Sequence, residues 1–309
     1  MKIAYAFRRD TLYPHYGSDL PSMEVRKPFF HKAREIGFEG IELEASAYGI
    51  SGPIESAARE LRKELEDSGL LCAAVRSGGG FNQPSVASTN RGRLKDGVSF
   101  ASWMGAGIVN TALVTPPAAP HAPGAGMGES VSQGSSRTSR EEDYERTAKV
   151  LREVASIAAD LGVGISLEVH QHSIVDNSWS ALHLLELVDR PNVGVNPDLG
   201  NIYWTYNVPE EVCEAAIVAL APHAKYWHCK NLLRIHIPEL GHAIFQQVPL
   251  PDGDIDYRFA LSAMLDASFD GYLAIEGLRL GDQWHGDAKS VSYVRTLMGE
   301  LHESEMKRK

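Results

Sequence analysis

The sequence predicts an α/β fold, a single (β/α)8 barrel with a long loop after the fourth strand. Strand-like and helix-like segments alternate along the whole chain, the order that builds a parallel sheet. Eight such units can be read, which favours a closed barrel over a doubly wound sheet. Glu168 to Asp198 is 30 residues and Asp198 to His228 is again 30, about one strand-plus-helix unit of a barrel of ~250 residues. The G-x-G-x-x-G that would open a Rossmann fold is absent after the first strand.

The strands read in order as KIAYAF (2–7), GIELE (40–44), LCAAVRS (71–77), GIVNTALV (107–114), GISLEV (164–169), VGVNPD (193–198), AKYWHC (224–229) and GYLAIEG (271–277). Helical stretches follow at about 23–36, 54–68, 85–105, 140–161, 178–189, 208–220, 256–267 and 286–303. In 141–161, Val150, Leu151, Val154, Ile157, Ala158 and Leu161 recur at helical spacing and make one apolar face. Residues 1–309 are therefore read as one domain.

Two connections are long. The first, 115–139, is rich in Pro and Gly and ends in serines. It leaves the carboxyl end of the fourth strand, where barrel loops reach the active site. It is read as an inserted loop at that face, a lid or contact surface as against a plain surface insertion. The second, Asn231 to Asp254, carries Ile244, Phe245 and Val248 and is expected to be an ordered loop over the mouth. The glycines of RSGGGFN (76–82) suit a turn better than an anion nest.

With 43% hydrophobic residues the chain can bury a full core. A net charge of −10 argues against a general nucleic-acid or membrane-surface binder, which needs a basic face. Cys72, Cys213 and Cys229 are far apart, a pattern that fits a reducing compartment better than a disulfide framework. No run reaches the ~18 apolar residues of a membrane span, and the first residues read as a strand rather than a signal peptide. A cytoplasmic location is the expectation.

Four residues at or near strand ends carry the chemistry: Glu168, Asp198, His228 and Glu276. Alternate residues of a strand face one side. Glu168 thus shares its side with His170, Asp198 with Asn196, His228 with Tyr226 and Lys230, and Glu276 with Ala274, while Cys229 turns toward the helices. All four can point into one mouth. Three carboxylates and one imidazole suit a divalent metal, with Mn2+ preferred over Mg2+, Co2+ or Zn2+. The plainer alternative is a set of buried ion pairs around a core histidine, but converging buried carboxylates are costly unless compensated. Glu168 and Glu276 are also candidate proton carriers, and His170 is the preferred separate acid or base. Lys230, Asn201, Glu44, Arg76 and Trp204 are candidate substrate contacts. Tyr48, Trp179, Tyr203, Tyr206 and Trp284 join Trp204 as aromatics expected around the mouth, suited to a sugar ring or an aromatic aglycone.

LEVH (167–170), NPDLGN (196–201), WHCKN (227–231), VPLPDGDIDY (248–257) and AIEG (274–277) together resemble the sugar phosphate isomerase/epimerase superfamily. This is the xylose-isomerase-like TIM barrel group that also holds AP endonucleases of the endonuclease IV type. The resemblance spans nearly the whole chain and implies a metal held by the same four residues. It departs in one place: ketose 3-epimerases of the group usually carry a histidine where Asn201 stands.

The leading expectation is a sugar or keto-sugar isomerase/epimerase working through an enediolate. The alternative is a lyase on 3-keto glycosides, because the α-subunit of C-glycoside deglycosidases resembles this chain in its E-x-H pair and works with a small β-type subunit. The expected partners are a small carbohydrate or glycoside and a homo-oligomer, or that small subunit. Endonuclease IV-like repair is disfavoured by the single ligand set and the acidic charge. A non-catalytic sugar-binding barrel is disfavoured by the intact ligands.

Overall fold

The computed structural model describes residues 1–6, 21–45, 54–115, 121, 129, 134–204, 210–278 and 281–308. In chain order the strands are β1 (Lys2–Ala6), β2 (Gly40–Glu44), β3 (Leu71–Arg76), β4 (Ile108–Ala112), β5 (Gly164–Glu168), β6 (Val193–Asn196), β7 (Trp227–Cys229), β8 (Asn231–Ile237), β9 (His242–Val248) and β10 (Tyr272–Glu276). The helices are α1 (Met23–Ile36), α2 (Glu55–Asp67), α3 (Pro84–Met104), α4 (Glu141–Asp160), α5 (Ser178–Val188), α6 (Leu199–Tyr203), α7 (Cys213–Leu220), α8 (Tyr257–Asp266) and α9 (Gln283–Arg308).

Eight strands form one sheet in the order β6-β5-β4-β3-β2-β1-β10-β7, and the pairs along it are parallel. It closes between β6 and β7 through a bridge from Val195 to Ala224 and a 3.0 Å bond from Lys225 N to Val195 O. This is the expected (β/α)8 barrel, with the long insertion after β4. The seventh strand is shorter than the 224–229 read from sequence: only Trp227–Cys229 lie in the ladder with β10.

Alternation sorts the side chains. Ile3, Ile41, Leu43, Val75, Val109, Ile165, Leu167, Val195, Trp227, Leu273 and Ile275 are buried in the main apolar core, which lies between the strands and the helices. On α4, Leu151, Val154, Ala155 and Ala158 are buried on that helix's inner face. The barrel lumen holds small residues instead. Ala4, Ala6, Ala73, Ala74 and Ala274 surround Tyr226, so the floor is filled by one ring and the space above is left to polar side chains. A register shift between Ile41 and Glu42 opposes Ile41 to Cys72 and Glu42 to Ala74.

Local chemistry fixes the ends. The α1 helix stops at Gly37, whose φ of 113° is a left-handed conformation that glycine adopts without penalty. The α5 helix begins at Asn177, whose side chain accepts from Ser180 N at 2.9 Å. Gly80 donates to Val114 O at 3.0 Å, and a Cβ there would meet Leu113 O and Val114 O at 2.8 Å, so the segment after β3 packs closely against the chain leaving β4.

Both ends of the insertion are fastened to neighbouring loops on the carboxyl-end face. Thr115 N donates to His172 O at 2.7 Å. Buried Ser136 donates its N–H to Asp176 and receives Asn177 Nδ2 at its hydroxyl at 3.1 Å. Residues 116–120, 122–128 and 130–133, which carry most of the expected lid, lie outside the described residues. The 231–254 connection is more regular than expected. β8 and β9 form an antiparallel hairpin from Asn231↔Val248 to Ile237↔His242. One face bears Leu233, Ile235 and Ile244, each at least 40% exposed. The other turns Phe245 onto Trp204, with ring centroids 5.6 Å apart.

Candidate metal centre

Each of the four candidate ligands lies at or near the end of a strand. Glu168 is the last residue of β5, His228 the middle of β7 and Glu276 the last of β10. Asp198 follows β6 and caps α6: its Oδ1 accepts from Asn201 N at 3.1 Å, leaving Oδ2 for the site. All four are buried, and one ligand atom from each lies within 4.8 Å of the others. His228 Nδ1 stands 3.3 Å from Glu276 Oε1, 3.5 Å from Glu168 Oε1 and 3.9 Å from Asp198 Oδ2. Metal–oxygen bonds of roughly 2.1–2.5 Å span such separations.

The surrounding side chains hold these carboxylates in place. Asn110 Nδ2 donates to Glu168 Oε2 at 3.1 Å. Asn201 Nδ2 donates to Asp198 Oδ2 at 2.9 Å and Glu168 Oε1 at 3.2 Å, so this asparagine braces two of the candidate ligands. Lys230 Nζ reaches Asp198 Oδ2 at 2.6 Å and Glu276 Oε2 at 3.2 Å. Asn196 accepts from His228 N at 2.7 Å and donates to Asn110 Oδ1 at 3.2 Å.

Sequence reading missed Asn110, Asn196 as a brace, and above all Glu42. Glu42 is 1% exposed and sits one residue pair below Glu44 on the lumen side of β2. Its Oε2 lies 2.5 Å from His228 Nε2, and its Oε1 accepts from Arg76 Nε at 2.8 Å. Its parity with Glu44 was the available signal. Arg76 Nη1 lies 3.7 Å from Glu44, so both of these expected substrate contacts belong to the same charged chain.

The donor set fits a divalent ion. Four enclosed carboxylates, Glu42, Glu168, Asp198 and Glu276, face two cations, Arg76 and Lys230. The shortfall of two positive charges is the charge of such an ion. The titration pattern points the same way. Burial opposes a charged ring at His228, but Glu42 and Glu168 outweigh it and hold its pKa well above the ordinary value. Burial, with Glu276 and Glu168 nearby, pushes Asp198 up to about 6 despite Lys230. Burial opposes charge at Glu168 and Glu42 as well, but His228 and Arg76 hold both below the ordinary carboxylate range, so the proton that the metal-free site recruits sits on His228. His228 Nδ1 faces the three carboxylates without a hydrogen bond of its own, the position of a ligand atom. Glu168, Asp198, His228 and Glu276 form a divalent-metal-binding site.

His170 lies beside this set on β5's exit. Burial lowers its pKa, against the pull of Glu168, so the ring is neutral at pH 7. Its Nδ1 lies 2.7 Å from Gln171 O. A carbonyl only accepts, so Nδ1 carries the proton and Nε2 keeps the lone pair of a base. Among the expected aromatics, Trp204 packs on Phe245 in the mouth loops, and Tyr203 stacks under Arg234 with 4.8 Å to its centroid. Trp284 packs on Phe29 at 4.8 Å, and Trp179 is 51% exposed on α5. Tyr48 and Tyr206 lie outside the described residues.

Residues 30–292 match the model of the xylose isomerase-like TIM barrel family, and the chain belongs to that family. No functionally curated protein matches it in sequence. Among solved structures it is similar to a xylose isomerase-like TIM barrel protein from Mycobacterium smegmatis in complex with magnesium. That structure is 21% identical, with 91% of this chain and 90% of the other covered at a TM-score of 0.74. It is similar to an L-ribulose 3-epimerase at 16% identity, with 99% and 97% covered and a TM-score of 0.73. A 3-keto-D-glucoside 4-epimerase from E. coli is 15% identical, with 96% and 98% covered at 0.69. These likenesses establish the shared fold. Among the described residues no helix is long and apolar enough to cross a membrane.

Proposed function

We propose that the protein is a divalent-metal-dependent isomerase or epimerase of a sugar or keto-sugar, with Mn2+ as the ion. The observation that carries this reading is the buried cluster of Glu168, Asp198, His228 and Glu276 with a neutral histidine beside it. Sugar epimerases among the similar structures support it. Bound there, a divalent ion would acidify the C–H between a substrate carbonyl and its neighbouring hydroxyl by drawing charge from both oxygens.

His170 Nε2 takes that proton, leaving an enediolate. For isomerisation His170 gives the same proton to the former carbonyl carbon while the hydroxyl proton passes between the two substrate oxygens. For epimerisation Glu168 or Glu276, first protonated from solvent, gives a proton to the other face and is left as a carboxylate, and His170 releases its own proton to solvent. Lys230 keeps a positive charge next to the developing oxyanion while holding Asp198 and Glu276. Asn201 fixes the two carboxylates it touches. Trp204 offers a flat apolar wall to the sugar ring, and Arg76 and Glu44 offer polar atoms at the rim.

The second reading is β-elimination from a 3-keto glycoside, in a complex with a small second subunit. It is favoured by His170, an acid–base group separate from the ligands, and by Asn201 in place of the epimerase histidine. A panel of free ketoses and 3-keto glycosides, assayed with Mn2+ in D2O, separates the two. Deuterium entering at carbon next to the carbonyl with no loss of a group supports the isomerase. Release of the aglycone supports the lyase. Neither with any member, on protein shown to hold metal, defeats both.

A further inference from the structure

A carboxylate buried at 1% exposure in mid-strand is an expense for a fold, because an apolar side chain of similar size serves stability as well or better. Glu42 nonetheless sits there, and its two oxygens are divided. Oε2 lies 2.5 Å from His228 Nε2, and Oε1 accepts from Arg76 Nε at 2.8 Å. Neither oxygen is in the ligand cluster. From these contacts we infer that Glu42 is a positioning residue for the metal: it sets which nitrogen of His228 is the ligand and fixes the plane of the ring.

A carboxylate oxygen at that distance accepts a hydrogen bond from Nε2–H, so a ring that gave up its Nδ1 proton to bind a metal would keep the other proton on Nε2 and present the Nδ1 lone pair. Nδ1 is the nitrogen that faces Glu168, Asp198 and Glu276. The negative charge behind the ring also raises the basicity of Nδ1, as carboxylates do behind metal-bound imidazoles. Two further contacts keep the ring still. His228 N donates to Asn196 Oδ1 at 2.7 Å, and Tyr226 meets the ring edge-on with centroids 5.4 Å apart. Arg76, from β3, holds Glu42 from its other side, so β2 and β3 fix a ligand on β7. Glu42 and His228 are 186 residues apart in sequence.

This inference rests on the metal site and not on which substrate is turned over, so its test reads metal affinity. Mn2+ dissociation constants are measured by calorimetry for the wild type, Glu42→Gln and Glu42→Ala. The expected result is a constant weakened by about 10–100-fold in both variants, the scale on which such outer partners act. Because Glu42→Gln alone leaves Arg76 with Glu44, 3.7 Å away, as its near carboxylate, the double variant Glu42→Gln/Arg76→Gln provides a second protein to titrate. It is expected to show the same loss.

A purely structural role for Glu42 would change thermal unfolding without moving the constant of the folded protein. Nitrogen NMR of histidine-labelled wild type loaded with Mg2+ reads the tautomer without any substitution, and is expected to find the His228 proton on Nε2. A constant within threefold of wild type in the folded variants, a proton on Nδ1, or a wild type that binds no divalent ion would each overturn the inference. Tight metal binding with no turnover of any sugar would defeat the proposed function and leave this one standing.

Discussion

His170 and Lys230 separate proton transfer from charge balance at the level of single side chains. His170 is not one of the four clustered ligands, and its Nδ1 is bonded to Gln171 O at 2.7 Å. His170→Ala should therefore keep its metal, measured by elemental analysis, while kcat falls by ~10²-fold or more, the scale of a lost acid or base. Loss of metal would make His170 a ligand or its support instead. Lys230 has the opposite signature. Its ammonium sits between Asp198 and Glu276, so Lys230→Met leaves the carboxylates more negative. The metal-free variant should lose on the order of 3–5 kcal/mol, as when one partner of a buried pair is removed. Added Mn2+ should restore much of this, because an ion that binds only the folded state stabilises it. Thermal unfolding with and without Mn2+ should thus show a wider gap in Lys230→Met than in the wild type; an equal gap would mean that Lys230 does not offset these carboxylates.

Strand and helix ends show how the frame holds those residues. The chain leaving β10 after Glu276 is caught by Asp287 of α9, whose Oδ1 accepts from Leu278 N at 3.1 Å. Burial raises the Asp287 carboxyl to about 6, from an ordinary 3.8. The folded state then binds more protons than the unfolded one between those values, so this group's contribution falls as pH rises through them and is at its worst above pH 6. The full cost of ionising it is on the order of 3 kcal/mol. Asp287→Asn keeps an acceptor for Leu278 and removes the ionisation. It should be more stable than the wild type at pH 8 and no more stable at pH 4, in denaturant titrations at both. The reverse ordering would show that the carboxylate is better held than its burial suggests.

At the scale of the molecule, loops after β3, β4 and β5 are bound to one another. Thr115 bonds His172 O, Gly80 bonds Val114 O, and Ser136 bonds Asp176 and Asn177. These bonds lie at Thr115 and Ser136, near the two ends of the insertion. Deleting 118–133 spares Ser135 and Ser136. It should leave thermal unfolding almost unchanged and raise KM or break an oligomer, read by kinetics and light scattering. Wild-type kinetics and assembly in the deletion variant would reduce the segment to a tolerated insertion.

Much of this molecule is written locally in its chain. Strand–helix alternation specifies a parallel sheet because each strand finds a parallel neighbour across a helix, and eight such units favour closing it into a barrel. The two-residue period of a strand sends Glu168, His228, Lys230 and Glu276 to one side before any fold is known. The four ligands were legible for that reason, with the 30-residue spacing of Glu168, Asp198 and His228 placing each at a successive strand end. The hairpin of β8 and β9 was also present as alternation in NLLRIHI and HAIFQQV, and was passed over because the stretch was read as a single loop.

Other features depend on distances across the closed barrel, which no local pattern carries. Glu42 shares the parity of Glu44, but only closure brings it to a histidine on β7. Lys230 points inward as its parity requires, yet its partners, Asp198 and Glu276, are set by neighbouring strand ends rather than by its own. Asn201 looked like a missing histidine and is a brace, because the turn of α6 carries its amide back over Glu168. Local sequence determined the fold, the strand faces and the ligand types, since these follow from periodicity and side-chain chemistry. Tertiary structure alone decided which buried charges meet and which nitrogen of His228 faces the ligands. Those depend on long-range geometry and on the cost of leaving a charge unpaired away from water.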